Sequence, residues 1–207
     1  MNENKSNITR RSFFSCASLL AIGGSLVGFK HIPEWPKPKL NSEIWKDFTE
    51  EEKELIAQST MAQEIITYPP LGYNCAESLL IVSLKHLGKS EEIANIAAGF
   101  GGGIGHYDLC GLFTAGFMAI GISAGMIYTD HKEISSYVKN LSREYWNWWE
   151  ERAPRHCHDL KPRYSWKSDN YHKMIQRVAL KVEELINPAL NMEQGEGDSK
   201  EEAGNRQ

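Results

Sequence analysis

From residue 49 to about residue 188, apolar positions recur every three or four residues, the spacing of one buried helix face. Thr49-Glu50-Glu51-Glu52 reads as a capping box, in which Thr49 accepts from the N3 amide while Glu52 reaches back, and it predicts a helix to about Ile66. Asn74-Cys75-Ala76-Glu77 repeats that logic. Behind it Ala76, Leu79, Leu80, Ser83, Leu84 and Leu87 share a face, and Gly88 ends the run. Ser90 caps a short helix with Ile93, Ile96, Ala97 and Phe100 inward. Asp130 with Glu133 caps another, carrying Ile134, Val138, Leu141, Tyr145 and Trp148 until Pro154. The last starts near Asn170, turns Tyr171, Met174, Ile175, Val178, Val182 and Leu185 inward, and stops at Asn187-Pro188. No segment alternates with a period of two. The expected fold is therefore all-α, a bundle of about five to six helices.

Residues 109–128 carry no charge and are long enough to span a membrane. Their flanks, His106-Tyr107-Asp108 and Thr129-Asp130-His131, lack the aromatic and basic anchors of a spanning segment. Gly111, Ala115, Ala119 and Ser123 instead form a stripe of small residues every four positions, as expected of a central Gly/Ala-rich helix buried all round by its neighbours.

The two ends read differently. Residues 12–29 are an uncharged apolar run behind Arg10-Arg11, and Thr9-Arg10-Arg11-Ser12-Phe13-Phe14 resembles the twin-arginine export consensus. Residues 1–30 are thus expected to be a twin-arginine signal or an N-terminal anchor, the chain's one membrane contact. That places the protein in the periplasm or on the outer face of the cytoplasmic membrane. Residues 31–48, with Pro33, Pro36 and Pro38, read as an extended linker. Residues 49–188 are the folded domain, and 189–207 an acidic tail without aromatic residues, expected to be disordered.

The chain has 207 residues and a net charge of −4, enough for one domain with a real core. It has no Lys/Arg cluster of the kind that neutralises phosphates, which argues against a nucleic-acid partner. Four cysteines are too few for a disulfide-built scaffold. Cys16 falls inside the leader. Cys75 lies at the first position of its helix, Cys110 just inside the central helix with Asp108 as a candidate cap, and Cys157 within Arg155-His156-Cys157-His158. Helix N-termini offer free amides and positive potential, which favour the thiolate that ligates metal or attacks disulfides. Gly101, Gly102 and Gly103, followed by Ile104-Gly105, form a loop before Cys110. It lacks the preceding strand of a dinucleotide fingerprint and the Gly-Lys-Ser/Thr of a P-loop, and so reads as a bend that lets a bulky group or another backbone sit beside Cys110, with Gly101, Gly102, Gly103 and Cys110 as candidate cofactor-binding residues.

Gly72-Tyr73-Asn74-Cys75-Ala76-Glu77, Gly99 to Gly105, Cys110-Gly111 and Cys157-His158-Asp159-Leu160 together resemble the successive blocks of the redox-active family named for its C-GCAxxG-C-C cysteine pattern. A related module occurs in split-Soret cytochromes. The resemblance covers about residues 50–187 and implies a helical domain whose four cysteines hold an iron–sulfur centre or another redox metal. Where the family has a fourth cysteine, this chain has His172. Leu112 stands at a small-residue position of the second block. A histidine nitrogen can replace a thiolate on iron, and Cys₃His is also a zinc set. Covalent haem is excluded because no Cys-x-x-Cys-His occurs.

The resulting expectation is an exported electron-transfer protein with a centre held by Cys75, Cys110, Cys157 and His172, working with a redox partner protein in the same compartment. A thiol–disulfide exchanger and a helical binding protein with relic cysteines are the alternatives. A homodimer is compatible with all three.

Overall fold

The computed structural model describes residues 43–160 and 167–204, with side chains to residue 190. The leader and most of the linker lie outside these residues. Helix α1 (Glu50–Gln58) opens with the predicted capping box: the Glu52 amide donates to Thr49 Oγ1 at 3.1 Å, and the Thr49 amide to the Glu52 carboxylate at 3.0 Å. The single helix expected to Ile66 is broken at Ser59, whose backbone is extended. Ser59 instead caps α2 (Thr60–Glu64). The cause lies at the far end of the sequence. Glu183 is buried here, accepting from the Met61 amide at 3.2 Å and from the Ser59 hydroxyl, and so supplies the acceptors that a new helix N-terminus requires.

Two short 3₁₀ turns, Ile65–Thr67 and Pro69–Leu71, lead to α3 (Cys75–His86), where Asn74 and Glu77 form the second capping box. Glu91–Phe100 is a 3₁₀ segment, not an α-helix. With about three residues per turn, positions three apart eclipse one another. Ala94 and Ala97 therefore face inward, while Ile93 and Ile96, expected inside, are 45% and 58% exposed.

Helices α4 (Gly111–Ile127), α5 (His131–Glu150), α6 (Cys157–Leu160) and α7 (Asp169–Gly204) complete the fold. Helix α4 is central, packed against α3, α5, α7 and the 3₁₀ segment. Its small-residue stripe Gly111, Ala115, Ala119 and Ser123 is buried as predicted. Burial is not complete all round, because Met118, Gly121 and Ile122 are half-buried and Gly125 is exposed. The Tyr145 ring occupies the space a Cβ at Gly116 would need, and its hydroxyl donates to Leu112 O at 3.0 Å. Helix α5 turns Tyr145 and Trp149 inward, leaving Trp148 half-buried with Arg152 stacked at 5.1 Å.

Helix α7 runs through Pro188, where the sequence suggested a stop. One intrahelical hydrogen bond is lost there, but Ile186 and Ala189 on either side are buried, and their packing holds the helix together. Of the segment read as an acidic tail, the backbone is helical to Gly204. The same helix anchors the entry to the domain. Arg177, buried, pairs bidentately with Glu52 at 2.8 Å and donates to the carbonyls of Ile44, Lys46 and Asp47. Its guanidinium also stacks on Phe48. The hydrogen bonds from Arg177 hold the Glu52 carboxyl below its ordinary pKa.

No strand occurs among the described residues, and no helix there is long and apolar enough to cross a membrane. One isolated antiparallel bridge, Leu109 with His156, is the exception to the helical architecture. It sits at the end of the bundle where the cysteines gather.

Candidate redox centre

Cys75, Cys110 and Cys157 stand at the starts of α3, α4 and α6. Cys75 is the first residue of α3, as predicted. Cys110 is itself the N-cap of α4, so the capping role expected for Asp108 does not arise. Asp108 acts through its backbone instead. Cys110 N donates to Arg155 O at 2.8 Å and Cys157 N to Asp108 O at 2.6 Å, on either side of the Leu109–His156 bridge. In an antiparallel pair the residues flanking a bridge point to the same face. Cys110 and Cys157 thus become diagonal neighbours across the bridge.

The glycines fit around these sulfurs. A Cβ on Gly111 would lie 2.6 Å from Cys75 Sγ and 2.9 Å from Phe100 O. At Gly103, which is left-handed (φ 67°), a Cβ would meet the Asp108 backbone at 2.5 Å and Cys157 Cβ at 2.8 Å. The Gly-rich loop therefore meets Cys157 through Gly103, and its Gly102 amide faces Cys75. Left-handed φ continues through Ile104 (57°) and Tyr107 (60°), costly conformations for residues with a Cβ, and most of all for a β-branched one.

None of these three cysteines is in a disulfide. Burial pushes the Cys75 and Cys110 thiols up from their ordinary pKa, and a charge on either would be opposed by its cysteine neighbours. Against this, backbone amides point at the sulfurs: those of Gly102, Gly111 and Ala76 toward Cys75, and those of Leu112 and Phe113 toward Cys110. Such donors stabilise a thiolate once a cation is present to replace the proton.

His172 lies in the first turn of α7, half-buried, with its amide donating to Ser168 O at 3.2 Å and its ring 6.3 Å from that of Tyr171. Tyr171 is the residue of this turn that the sequence reading placed only in the core. It is 4% exposed, and its phenol is pushed well up in pKa by burial and by all three cysteines. The signal was its position one residue before the family's fourth-ligand position. Around the loop rim, His156 Nε2 is 3.5 Å from Asp108 Oδ1 and His158 Nδ1 is 3.1 Å from Tyr107 O.

The family model described as "Putative redox-active protein (C_GCAxxG_C_C)" matches residues 73–185, more than half of the chain. The chain belongs to this family. No curated protein and no solved structure matches it. Membership gives the chain a redox role, and the matched region contains every element that positions the three cysteines.

Among the described residues, no group of three or more His, Cys, Asp or Glu side chains is set to hold a metal ion as it stands. Sulfurs bound to one tetrahedral zinc ion at 2.3 Å would lie within about 4 Å of one another. A cluster distributes its ligands over several iron atoms and accepts thiols farther apart. Three thiols, two of them faced by backbone amides, are a donor set whose chemistry suits iron and zinc alike.

Proposed function

We propose that the protein is an exported electron-transfer protein whose Cys75, Cys110 and Cys157 hold an iron–sulfur centre. What supports the reading above all is that Cys75, Cys110 and Cys157 stand at three helix starts at one end of the bundle, with backbone amides facing the first two sulfurs. When bound, such a centre would supply reversible one-electron chemistry. The chain's own part is to hold the sulfurs, to lower the cost of negative charge through the Gly102, Gly111, Leu112 and Phe113 amides, and to keep water away with Tyr171.

The fourth position falls in the first turn of α7, where His172 and Tyr171 are the two donors. Disulfide exchange fits less well, because attack needs a thiolate and burial pushes the Cys75 and Cys110 thiols up in pKa. Export is read from Arg10 and Arg11. It predicts that Arg10→Lys with Arg11→Lys retains the protein in the cytoplasm.

Anaerobic purification followed by iron, sulfide and visible-absorbance measurements tests the centre. Iron and sulfide in similar amounts are expected, with loss of both on Cys75→Ser or Cys110→Ser. His172→Ala and Tyr171→Phe then separate the two donors, since only the true ligand should change the reduction potential by a large step. A colourless, metal-free protein that folds normally would overturn the reading.

A further inference from the structure

Large exposed apolar side chains concentrate around Cys75. Leu71 (72% exposed) and Tyr73 lead directly into its helix, Ile93 and Ile96 stand on the outer side of the 3₁₀ segment, and Ile104 tops the glycine loop. These elements are stitched together. Asn74 Nδ2 donates to Ala98 O at 3.1 Å, Gly101 lies against the Asn74 side chain, and the Gly102 amide faces Cys75 Sγ. Tyr73 also shares a cleft with Glu77, Glu91, Glu92 and Asn95. Cys75 itself is the one thiol of the three that is not fully buried.

The Tyr73 cleft is lined by three carboxylates and, among the described residues, by no Lys or Arg, and Lys85, beyond Tyr68, is paired with Glu64. An exposed apolar patch beside a functional centre marks a docking site. A carboxylate-lined cleft beside exposed apolar side chains selects a partner carrying lysines or arginines around its own apolar centre, and steers it by long-range attraction.

We propose that this face is the docking site for an electron-carrier protein with a basic rim, seated over the glycine loop above Cys75. The inference rests on the redox reading of the site for its purpose, but docking can be measured without it. The probe is a basic mitochondrial-type cytochrome c, titrated calorimetrically into the full chain at about 10 mM salt. Its iron content is measured separately, so loss of the centre and loss of docking are told apart.

Saturable binding is expected. It should weaken on the order of ten-fold at 0.3 M salt, as attraction between exposed charges is screened. The Leu71→Lys, Ile96→Lys double variant should weaken it by a similar factor, as should Glu91→Lys with Glu92→Lys. Both pairs are solvent-exposed, and circular dichroism checks that the fold is retained. Absence of saturable binding at low salt, unchanged affinity in both folded variants, or equal affinity for an acidic ferredoxin would each overturn the proposal. So would a concentration-dependent rise in sedimentation coefficient abolished by Leu71→Lys with Ile96→Lys, since a second copy would then cover the face.

Discussion

The middle of α7 and its first turn meet buried polar chemistry in opposite ways. Toward its middle, the α1–α2 corner is held by charged side chains reaching across the sequence: Arg177 binds Glu52 and three carbonyls, and Glu183 caps α2. At the cysteine end, the contacts to sulfur come from backbone amides, and the close approaches come from glycines. A long side chain can swing to a new partner, so the first region tolerates small shifts. A backbone amide cannot move without its helix. The cysteine end is therefore rigid where it faces sulfur, which is what a centre that must change charge without reorganising requires.

Removing the key ionic anchor should produce the largest effect. Arg177→Met leaves Glu52 and three carbonyls without their donor, and should cost about 3 kcal/mol in a denaturant titration, toward the lower end for a buried pair because Glu52 keeps some solvent. The same pair should shape the acid limb of stability. Since the folded Glu52 carboxyl lies below its ordinary pKa, its contribution is present above that ordinary pKa and is lost as pH falls through the folded one. Arg177→Met should flatten that limb. A mutant with wild-type midpoint and wild-type acid profile would remove the ionic half of the contrast.

A single methyl group tests the other half. Gly111→Ala places a Cβ against Cys75 Sγ and Phe100 O and should cost about 2 kcal/mol by overpacking, while Ala at the open position Gly121 should cost nothing. If both are equally silent, the cysteine end is softer than its geometry implies. The smallest effect runs in the opposite direction. Ile104→Gly relieves a β-branched residue at φ 57° and should stabilise the domain by about 1 kcal/mol, read as a higher melting temperature. A destabilised variant would show that the Ile104 side chain holds the loop down.

Much of this contrast was written locally. The capping residues Thr49, Asn74 and Asp130 need only their neighbours three positions on, and all three cap as read. The small-residue stripe of α4 is a property of one helix, and Cys75 was visible as a first-turn residue. What was not legible depends on distant partners. Ser59 breaks a helix because Glu183 reaches it from α7, and nothing near Ser59 in sequence says so. The 3₁₀ geometry of Glu91–Phe100 rotates Ile93 and Ile96 outward although their spacing also fits an α-helix. Tyr171 looked like any core aromatic until the packing of α7 set it beside the thiols.

The Leu109–His156 bridge also fixes an order of events during synthesis. Cys110 and Cys157 come together only by closing a loop that contains all of α4 and α5, and closing a long loop is rewarded late, after its contents have packed. A nascent chain that ends before α6 offers two of the three thiols. Any group that needed all three would therefore have to wait for an almost finished domain, and its loading would report on completed folding.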